Sequence, residues 1–462
     1  MRRRDLFGYG AGVLLTPSMS FASSDETWDE SVDVLVAGGG AAGLCAALTA
    51  SDSGASVLVA EKMPRIGGDT LISGGYFNAV DPKRQQAQGI EDSEELFVQQ
   101  ILTAGAGRNS LEFARTLAHE STITLEWLEG LGLQFLPTVQ EVFGSVYPRS
   151  HKPVLARGTG YVKVLSEAAL RRKVRILTSS PVHNFILNGS GRVVGARLQT
   201  KRGIVRVEAR RGVIVASGGF GASKAMRLKY TPQVADLPSD SHPGATGELL
   251  EAAESVGAAL VNMGFAECVP GAAAAFNYPI RLDYVPSRVI IVNSRGRRFV
   301  DETKGRRAIA EAVLREMKEG PCFSVASSRA LELFDPISLK NLYRGLFAGQ
   351  AWKADTPEEL AEKVGLPIDA LVEEMRASAK SRAMDQAPFW ATKLFLRVHH
   401  TLGGIRIDTE ARVLNRQGGG ITGFFAAGET TGSVHGAERI GGNGLPSACA
   451  FGRIAGFSVM KT

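Results

Sequence analysis

Cysteine is scarce in this sequence. The 462 residues include only four, Cys45, Cys268, Cys322 and Cys449, which stand far apart and form no Cys-x-x-Cys or Cys-x-x-Cys-His pattern. Metal clusters, covalent c-type haems and disulfide frameworks each require more cysteines or closer spacing. The sequence therefore argues against all three, and we expect no metal site.

Long runs of like charge and long apolar runs are also missing. The net charge is only +6, with basic and acidic residues interspersed, which argues against nucleic acid as a main partner. No segment offers the ~20 continuous apolar residues of a membrane span, so we expect no stable membrane insertion. A hydrophobic content of 44% is sufficient for a large core in two joined domains.

The N-terminal segment reads MRRRDLFGYGAGVLLTPSMSFASS, in which paired arginines precede a short apolar run that ends in small residues near Ala22. This order is typical of a twin-arginine export signal and fits a frayed basic tail less well. We predict that residues 1–22 are a signal peptide and that the mature chain is a soluble periplasmic protein.

The strongest local signal lies in VDVLVAGGGAAGLCAALTASDSGASVLVAEK. An apolar strand, a glycine-rich turn, a helix and a second strand follow one another, and an acid stands at the end of the second strand. Such a turn brings a pyrophosphate to the positive end of the helix, while the acid binds ribose hydroxyls. We predict a dinucleotide site that includes Gly38, Gly40, Ala41, Ala42, Gly43, Glu61 and Lys62.

Segments further along favour a flavin over a nicotinamide cofactor. Paired glycines after Glu61 form a ribbon without side chains that suits a flat ring, and a helix is predicted to begin near Leu445. The free amides at a helix start stabilise negative charge on a reduced flavin ring. We predict noncovalent FAD, with further contacts from Gly68, Asp69, Thr70, Gly74, Gly75, Ser217, Gly218, Gly219, Gly428, Glu429, Asn443, Gly444, Leu445 and Ser447.

Five motifs resemble those of the fumarate reductase and succinate dehydrogenase flavoprotein superfamily, and most closely those of soluble, exported, flavocytochrome-type fumarate reductases. They are GGGAAG, SGGF (217–220), VNSRGRRFVDE (292–302), HHTLGG (399–404) and HGAERIGGN (435–443), and the resemblance spans residues 32–456. We predict an α/β fold in which a Rossmann-like FAD-binding domain, residues 32–270 and 396–462, is interrupted by a smaller α+β capping domain, residues 271–395. Helices are expected within 92–132 and within 356–379.

The resemblance also implies roles for individual residues. His399 and Arg439 hold one substrate carboxylate beside the flavin, Arg439 also belongs to the cofactor site, and His400 contacts the cofactor. Arg306 occupies the spacing of the arginine that protonates a substrate carbon in these enzymes. Its neighbour Arg307 leaves the register open, and a solvated helix start is the other interpretation of Arg306.

The chemistry of alkene reduction requires the same set of groups. Reduced flavin offers hydride from N5, and an alkene accepts it only when cations polarise an attached carboxylate. An acid on the opposite side must then protonate the other carbon. An arginine with a reference pKa above 12 needs a negative relay for that task, but its planar cation also polarises a carboxylate. We predict a reductase that acts on the C=C bond of an α,β-unsaturated carboxylate.

This chain departs from the family around the second substrate carboxylate. Val269-Pro270 replaces a His-Pro pair, and Leu282 and Val285 occupy the positions of a Glu-x-x-Arg proton relay. Burying an unpaired carboxylate there would be costly. We therefore expect a substrate with one carboxylate and a less polar far end, such as acrylate, methacrylate or urocanate. Asp283 and Arg288 are candidates to rebuild the relay, and Tyr278 and Tyr284 are candidates to line the far end.

Two other functional classes remain open at this stage. A flavin dehydrogenase or oxidase acting in the reverse direction would use the same fold, although His399 and Arg439 favour a carboxylate over a steroid. A non-catalytic flavin electron carrier is the second alternative. Because the sequence has no Cys-x-x-Cys-His motif, we expect electrons from a separate periplasmic cytochrome or a similar donor.

Overall fold

The computed structural model describes residues 27–276 and 278–462. The predicted signal peptide, residues 1–22, lies outside the described residues. The strands are β1 Glu30–Ala37, β2 Val57–Ala60, β3 Phe77–Asn78, β4 Phe135–Val142, β5 Ser145–Pro153, β6 Arg175–Leu177, β7 Val182–Leu187, β8 Val193–Thr200, β9 Gly203–Val215, β10 Leu260–Val261, β11 Ala266–Gly271, β12 Val289–Val292, β13 Cys322–Ser327, β14 Ala351–Ala354, β15 Phe389–Thr401, β16 Gly404–Ile405, β17 Arg412–Leu414 and β18 Gly420–Ala426.

The helices alternate with these strands along much of the chain. They are α1 Ala41–Asp52, α2 Gly68–Ile72, α3 Pro82–Gln86, α4 Glu94–Gly105, α5 Leu111–Gly130, α6 Thr159–Arg171, α7 Lys224–Tyr230, α8 Glu248–Ser255, α9 Arg306–Glu316, α10 Ser328–Leu331, α11 Pro336–Phe347, α12 Pro357–Val364, α13 Ile368–Ala377 and α14 Gly444–Ser458. The helices expected within 92–132 are α4 and α5, and those expected within 356–379 are α12 and α13.

The main sheet has the strand order β17-β18-β9-β1-β2-β6, and β8 and β7 extend it from β9. Its centre is parallel, because β1 pairs in parallel with β2 and β9, and β9 pairs in parallel with β18. The central strands end in apolar runs, as expected for a sheet covered on both faces, and Val34–Val36 of β1 is fully buried. The predicted α/β fold is confirmed.

Helices α1 and α14 pack closely beside the main sheet. A Cβ at Gly452 would lie 2.4 Å from the Ala42 carbonyl oxygen, and one at Gly456 would lie 2.6 Å from that of Ala46. These two glycines are one helical turn apart, so they form a smooth face on α14 that admits the backbone of α1. The contact aligns the start of α14 with the glycine-rich turn that precedes α1.

A second sheet is antiparallel and has the order β11-β15-β13-β12, with β14 also paired to β15. Strands β11 and β15 run across the predicted domain boundaries at 270 and 396, so the division into two domains stays a prediction. The pairing of β11 with β15 sets Glu267 opposite His400 and Val269 opposite Arg397. This register brings the HHTLGG segment beside residues that lie more than 130 positions earlier in the chain.

Two kinds of feature are absent from residues 27–276 and 278–462. No helix in that part of the chain has the length and apolarity needed to cross a membrane. No cluster of three or more His, Cys, Asp or Glu side chains is arranged to hold a metal ion there. All four cysteines are buried free thiols.

Candidate active site

The glycine-rich turn between β1 and α1 is too tightly packed for side chains at two of its glycines. A Cβ at Gly38 would lie 2.2 Å from the Ala216 carbonyl oxygen, and one at Gly43 would lie 2.0 Å from that of Gly38. At Gly40 the nearest atom is the Thr70 hydroxyl oxygen, at 3.6 Å. Because Gly40 caps α1 without a side-chain hydrogen bond, the positive end of that helix is open to a ligand.

The acid at the end of β2 is held by backbone amides on both of its oxygens. The Gly39 amide donates to Oε2 of Glu61 at 2.8 Å, and the Met63 amide donates to Oε1 at 2.7 Å. Glu61 is 7% exposed and lines the cavity that begins at the turn. This is the position in which a carboxylate accepts a hydrogen bond from a ribose hydroxyl.

A cavity of about 1000 Å³ extends from the glycine-rich turn to the second sheet. Most of the predicted cofactor residues line it: Gly38, Gly40, Ala41, Ala42, Glu61, Lys62, Gly68, Asp69, Thr70, Gly74, Gly75, Ser217, Gly218, His400, Gly428, Glu429, Arg439, Gly444 and Leu445. Gly43, Gly219, Asn443 and Ser447 do not line it. They lie behind the wall, where Gly219, for example, allows the Thr401 hydroxyl to approach closely.

Glu429 organises the wall beside the HHTLGG segment. Its Oε1 accepts hydrogen bonds from the amide and hydroxyl of Thr401 at 2.9 and 3.0 Å, and its Oε2 lies 3.1 Å from Nδ1 of His400. Burial favours a raised pKa for Glu429, but His400 and Thr401 outweigh it and lower the pKa. Glu429 therefore holds the segment in place, and its carboxylate is already engaged by protein groups.

The residues present fit an extended dinucleotide such as FAD. Two buried polar atoms, Nδ2 of Asn443 and Nε of Arg439, have no partner among the described residues. The start of α14 has no side-chain cap at Asn443, and α1 is uncapped in the same way. Two open helix starts, a ribose-type carboxylate and a ribbon of paired glycines thus surround one continuous cavity.

Two arginines at the ring end of the cavity share one buried carboxylate. Oε2 of Glu267 accepts a hydrogen bond from Nη1 of Arg306 at 3.1 Å and from Nη2 of Arg439 at 2.8 Å. Its Oε1 accepts the Arg439 amide at 2.8 Å. The three residues are 3%, 6% and 4% exposed, in the order Glu267, Arg306, Arg439. Both arginines line the cavity.

The charges of this cluster follow from its burial and its pairing. Burial alone would raise the pKa of Glu267, but Arg439 and Arg306 outweigh that effect and lower the pKa to about 2. Burial lowers the pKa of Arg306 to about 10, although Glu267 opposes the shift. With one carboxylate between two guanidinium groups, the cluster carries an excess positive charge at neutral pH and attracts an anion.

His399 faces the same end of the cavity from β15. Its Nδ1 lies 3.1 Å from the Asp240 carboxylate, an arrangement that fixes the ring and turns Nε2 away from that carboxylate. His399 and Asp240 both line the cavity. The structure therefore brings together the three residues that the resemblance assigns to one substrate carboxylate and to proton donation, which are His399, Arg439 and Arg306.

The structure resolves the register of the two adjacent arginines. Arg306 is the first residue of α9, with its side chain turned inward, and its Nε donates to the Phe143 carbonyl at 3.0 Å. Arg307 is exposed and pairs with Glu311 one turn along the helix, at 2.8 Å. The solvated helix start is thus Arg307, and Arg306 is the residue that reaches the cavity.

The predicted relay through Asp283 or Arg288 is not formed, and the structure corrects this prediction. Asp283 is fully buried, makes two hydrogen bonds with Arg281 and does not line the cavity. Arg288 donates to the Arg329 carbonyl and likewise does not line the cavity. The carboxylate that contacts Arg306 is Glu267, which stands two residues before Val269 on β11.

Aromatic rings and a further arginine surround the far end of the cavity. Tyr278 and Tyr284 line it, as expected, together with Tyr76, Phe143 and Arg281. The guanidinium carbon of Arg281 is 5.2 Å from the centre of the Phe143 ring and 5.0 Å from that of Tyr284. Burial raises the pKa of both Tyr76 and Tyr284, so these phenols stay protonated at neutral pH.

Sequence reasoning missed Glu267, Arg281 and Phe143. Strand alternation places Glu267 on the same face of β11 as Val269, and this was the available signal. Arg281 is adjacent to Leu282, a position that the sequence had already singled out. It pairs with Asp283, so this acid is the partner of Arg281 and not a member of a proton relay. Phe143 lies in the turn between β4 and β5 of the small sheet β3-β5-β4 and had no motif to mark it.

Residues 33–445 match the family model described as "FAD binding domain". The chain belongs to this family. The flavoprotein is 32% identical to the probable fumarate reductase Ifc3 of Shewanella frigidimarina, over 94% of this chain and 75% of that protein. Its membership of the family confirms the predicted FAD cofactor. The similarity to Ifc3 confirms the predicted resemblance to the fumarate reductase flavoproteins.

Two further similarities bear on what this flavoprotein does. It is 32% identical to the NADH:acrylate oxidoreductase of Vibrio harveyi over 95% of this chain, and it spans 51% of that protein, about half of its length. A solved structure described as the open conformation of a flavocytochrome c3 fumarate reductase superposes with a TM-score of 0.75 and 30% identity, over 94% of this chain and 79% of that chain. These relatives are named for unsaturated carboxylates.

Proposed function

We propose that this flavoprotein reduces the C=C bond of an α,β-unsaturated carboxylate. The observation that carries the proposal is the convergence of His399, Arg439 and Arg306 on one end of the FAD cavity. Similarity to a fumarate reductase and to an acrylate oxidoreductase supports the same reaction class. When bound, FAD supplies the hydride.

The substrate carboxylate is bound by Arg439 and His399. Arg439 is held by Glu267 through Nη2 and through its amide, and His399 is oriented by Asp240. Two fixed donors orient a planar carboxylate and withdraw electron density from the conjugated alkene, so the carbon beyond it becomes electrophilic. Arg439 is 4% exposed, whereas the side chain of His399 is 32% exposed, so burial strengthens the contact with Arg439 more than the contact with His399.

Arg306 donates the proton to the other alkene carbon. Its Nε is bound to the Phe143 carbonyl and its Nη1 to Glu267, which leaves Nη2 as the donor toward substrate. Burial lowers the pKa of this guanidinium to about 10, a value closer to the operating range of a general acid than that of a solvated arginine. Glu267 keeps the group charged and correctly placed before transfer.

The finer proposal concerns the substrate itself, which we infer has one carboxylate and a less polar far end. Val269 lines the cavity, and Leu282 and Val285 are fully buried near it. These three positions offer no hydrogen bond to a second carboxylate, whose desolvation would then be uncompensated. Acrylate, methacrylate and aryl acrylates such as urocanate are therefore favoured over fumarate.

The decisive experiment is an oxidant screen on the reduced holoprotein. We would reduce the flavin anaerobically with dithionite and follow its reoxidation by fumarate, acrylate, methacrylate, cinnamate and urocanate. Arg306→Ala is expected to slow reoxidation by about 10²–10⁴-fold, the usual contribution of a general acid. Arg307→Ala is the matched control, because Arg307 neighbours Arg306 on α9 but is exposed, and it should leave the rate unchanged.

Other results would point to the other functional classes. Reoxidation by O₂ with peroxide production, and none by any unsaturated acid, would favour an oxidase. Flavin that cycles with redox partners but reduces no alkene would favour an electron carrier. Equal rates for the wild-type protein and Arg306→Ala would refute the assignment of the proton donor.

Export and the electron donor belong to the same proposal. We propose that residues 1–22 direct the folded flavoprotein to the periplasm, where a separate cytochrome or a similar donor supplies electrons. Replacing Arg3 and Arg4 by lysines should keep the protein in the cytoplasm, as measured by fractionation and immunoblotting. Export that persists in the double variant would refute the twin-arginine assignment.

A further inference from the structure

The Arg281–Asp283 pair forms an element of the cavity to which no function has been assigned. Asp283 is fully buried and receives hydrogen bonds from Nε of Arg281 at 2.9 Å and from its Nη2. Both bonds are made by one edge of the guanidinium group. Arg281 lines the cavity, and the bidentate pairing leaves Nη1 as the hydrogen-bond donor available to a ligand.

The ring of Phe143 lies close both to Arg281 and to Arg306, the proposed proton donor. The ring centre is 5.2 Å from the guanidinium carbon of Arg281 and 5.8 Å from that of Arg306. The distance between the two guanidinium carbons is therefore no greater than the sum of these two distances. A substrate that places its carboxylate on Arg439 and extends past the Phe143 ring brings its far end to Arg281.

The surrounding walls favour a planar ring in this position. Tyr76, Tyr278, Tyr284 and Phe276 line the same end of the cavity, and the rings of Phe276 and Tyr278 meet edge to face with centres 5.7 Å apart. Aromatic walls of this kind pack well against a flat apolar ring. A short acid such as acrylate would leave this end of the cavity unused.

The charge of the pair restricts what the ring can carry. Arg281 and Asp283 are mutually neutralising, and the Asp335 carboxylate, which also lines the cavity, lies 3.5 Å from the Lys152 ammonium group. An uncharged acceptor can take a hydrogen bond from Nη1 without a counter-charge. A second carboxylate would lose its water and meet a pair with no net positive charge, which is unfavourable.

We propose that Arg281, held by Asp283, is a specificity-determining donor for an uncharged hydrogen-bond acceptor on the ring of an aryl acrylate. The inference rests on the proposed reductase function and narrows its substrate class. Hydroxyl groups and ring nitrogens qualify as acceptors, whereas a ring carboxylate does not. Asp283 is a positioning residue that also sets the charge of the subsite.

The test uses acids that share one skeleton: cinnamate, 3- and 4-hydroxycinnamate, and 4-carboxycinnamate. The wild-type holoprotein should prefer the better hydroxycinnamate to cinnamate by roughly tenfold in kcat/KM, the effect of one buried hydrogen bond. Arg281→Gln should reduce that ratio to about one, whereas Arg344→Gln, an exposed arginine beside Tyr278, should not. A wild-type ratio near one, or an unchanged ratio in Arg281→Gln, would overturn the proposal.

Asp283→Asn provides a test by gain of function. The substitution keeps the shape of the side chain and leaves Arg281 with a net positive charge, so 4-carboxycinnamate should improve relative to 4-hydroxycinnamate by at least roughly tenfold. A fixed or falling ratio would contradict the charge argument. Acrylate carries no ring and is the reference substrate, so the kcat/KM of each variant for the aryl acrylates is divided by its own value for acrylate. Only Arg344→Gln, which lies outside the cavity lining, is expected to leave the acrylate value itself unchanged.

Equilibrium binding separates this inference from the proposed reaction. The saturated products, 3-phenylpropanoate and its hydroxylated forms, can be titrated into the oxidised holoprotein and followed by calorimetry. If no alkene oxidises the reduced protein, the reductase proposal fails, yet a hydroxyl-dependent Kd that Arg281→Gln removes would still establish the subsite. If acrylate is reduced and the hydroxyl has no effect on Kd, only the subsite is refuted.

Discussion

At the scale of single residues, Glu267 determines the charge of the proposed carboxylate site. It accepts hydrogen bonds from both Arg306 and Arg439 and is 3% exposed. The two buried arginines need its negative charge as a counter-charge, and Glu267 needs theirs to stay ionised. A buried carboxylate next to a proton donor stabilises the charged form of that donor. Glu267 thus has opposite effects on two functions, since it keeps Arg306 protonated but partly neutralises the charge that attracts substrate.

This dual role predicts the behaviour of Glu267→Gln. Loss of the carboxylate removes the interaction that raises the pKa of Arg306, whose value is about 10. The pKa then falls further, and the alkaline limb of the kcat profile should move to lower pH by at least about one unit. The KM for the carboxylate substrate should fall, because the site gains net positive charge. Profiles of kcat and KM from pH 6 to pH 11 measure both effects.

The matched control for that variant is Glu311→Gln. Glu311 is an exposed partner of Arg307 on the same helix, at 2.8 Å, and its loss should leave the pH profile unchanged. An alkaline limb that stays in place in Glu267→Gln would mean that Arg306 does not titrate in that range or is not the acid. Because Gln retains an oxygen acceptor, the arginines keep a hydrogen-bond partner in the variant.

Site residues were predictable where a local motif marks them and not where a long-range contact creates them. His399 and Arg439 stand in recognisable segments, and Arg306 lies at a fixed spacing from another. Glu267 acquires its role from partners 39 and 172 positions away. No local pattern reports such contacts. Asp283 was a candidate for the proton relay and pairs instead with its near neighbour Arg281, because spacing alone does not decide which of several nearby cations a buried carboxylate contacts.

At the scale of elements, the turn from β1 into α1 serves both the fold and the cofactor. Gly43 faces the protein, because a Cβ there would lie 2.0 Å from the Gly38 carbonyl oxygen. Gly40 faces the cavity, and a Cβ there meets only ordinary contacts, the nearest at 3.6 Å. The same glycine pattern thus contains one position required by packing and one required by the ligand.

These two glycines predict different effects of the same substitution. Gly43→Ala should destabilise the protein by several kcal/mol whether or not FAD is bound, because backbone must move to relieve the clash. Gly40→Ala should change the unfolding free energy of the FAD-free protein by less than about 1 kcal/mol, since its φ of −78° suits alanine. It should weaken FAD binding by tenfold or more, because its methyl group enters the cofactor cavity.

Urea unfolding of the FAD-free proteins and fluorescence titration with FAD measure the two quantities separately. Equal loss of stability in both variants would contradict the distinction between the two positions. Unchanged FAD affinity in Gly40→Ala would show that the pyrophosphate does not approach this part of the turn.

The regular elements were predictable because their apolar spacing is local. The first strand, helix and second strand, the helix near Leu445 and the helices within 356–379 all follow from periodicity and glycine placement. The small sheet β3-β5-β4 was not predicted, since its strands are short or polar and irregular in register. That sheet supplies the segment carrying Phe143, and with it one wall of the substrate cavity.

At the scale of the whole molecule, the cavity is built from both sheets. Ala37 and Ala60 of the main sheet line one end, and Val269 and Arg397 of the second sheet line the other. The cavity volume of about 1000 Å³ lies at the upper end of the range of roughly 300–1,000 Å³ for small-molecule and cofactor sites. A second groove lies at the surface beside α4 and α5, remote in sequence from the glycine-rich turns.

This architecture predicts which electron donors the chain accepts. The sequence of 462 residues has no Cys-x-x-Cys-His motif. The part of the chain that the structure describes contains no metal-binding cluster. The proposed function assigns the supply of electrons to a separate donor molecule that reaches FAD directly. The purified flavoprotein should oxidise reduced methyl viologen or a reduced small cytochrome when an unsaturated acid is present. It should not oxidise NADH, because FAD already occupies the cavity that a second dinucleotide would have to enter.

Anaerobic stopped-flow spectroscopy measures these rates with the donor as the only variable. Free FAD with the same donors and acids is the control for uncatalysed transfer, and Arg306→Ala is the control for turnover at this site. NADH oxidation by the flavoprotein at a rate comparable to that with the dye would contradict the prediction, and would imply that a nicotinamide ring reaches the flavin from outside the cavity. A rate that saturates with reduced cytochrome and weakens with added salt would instead indicate a charged docking face for a protein donor.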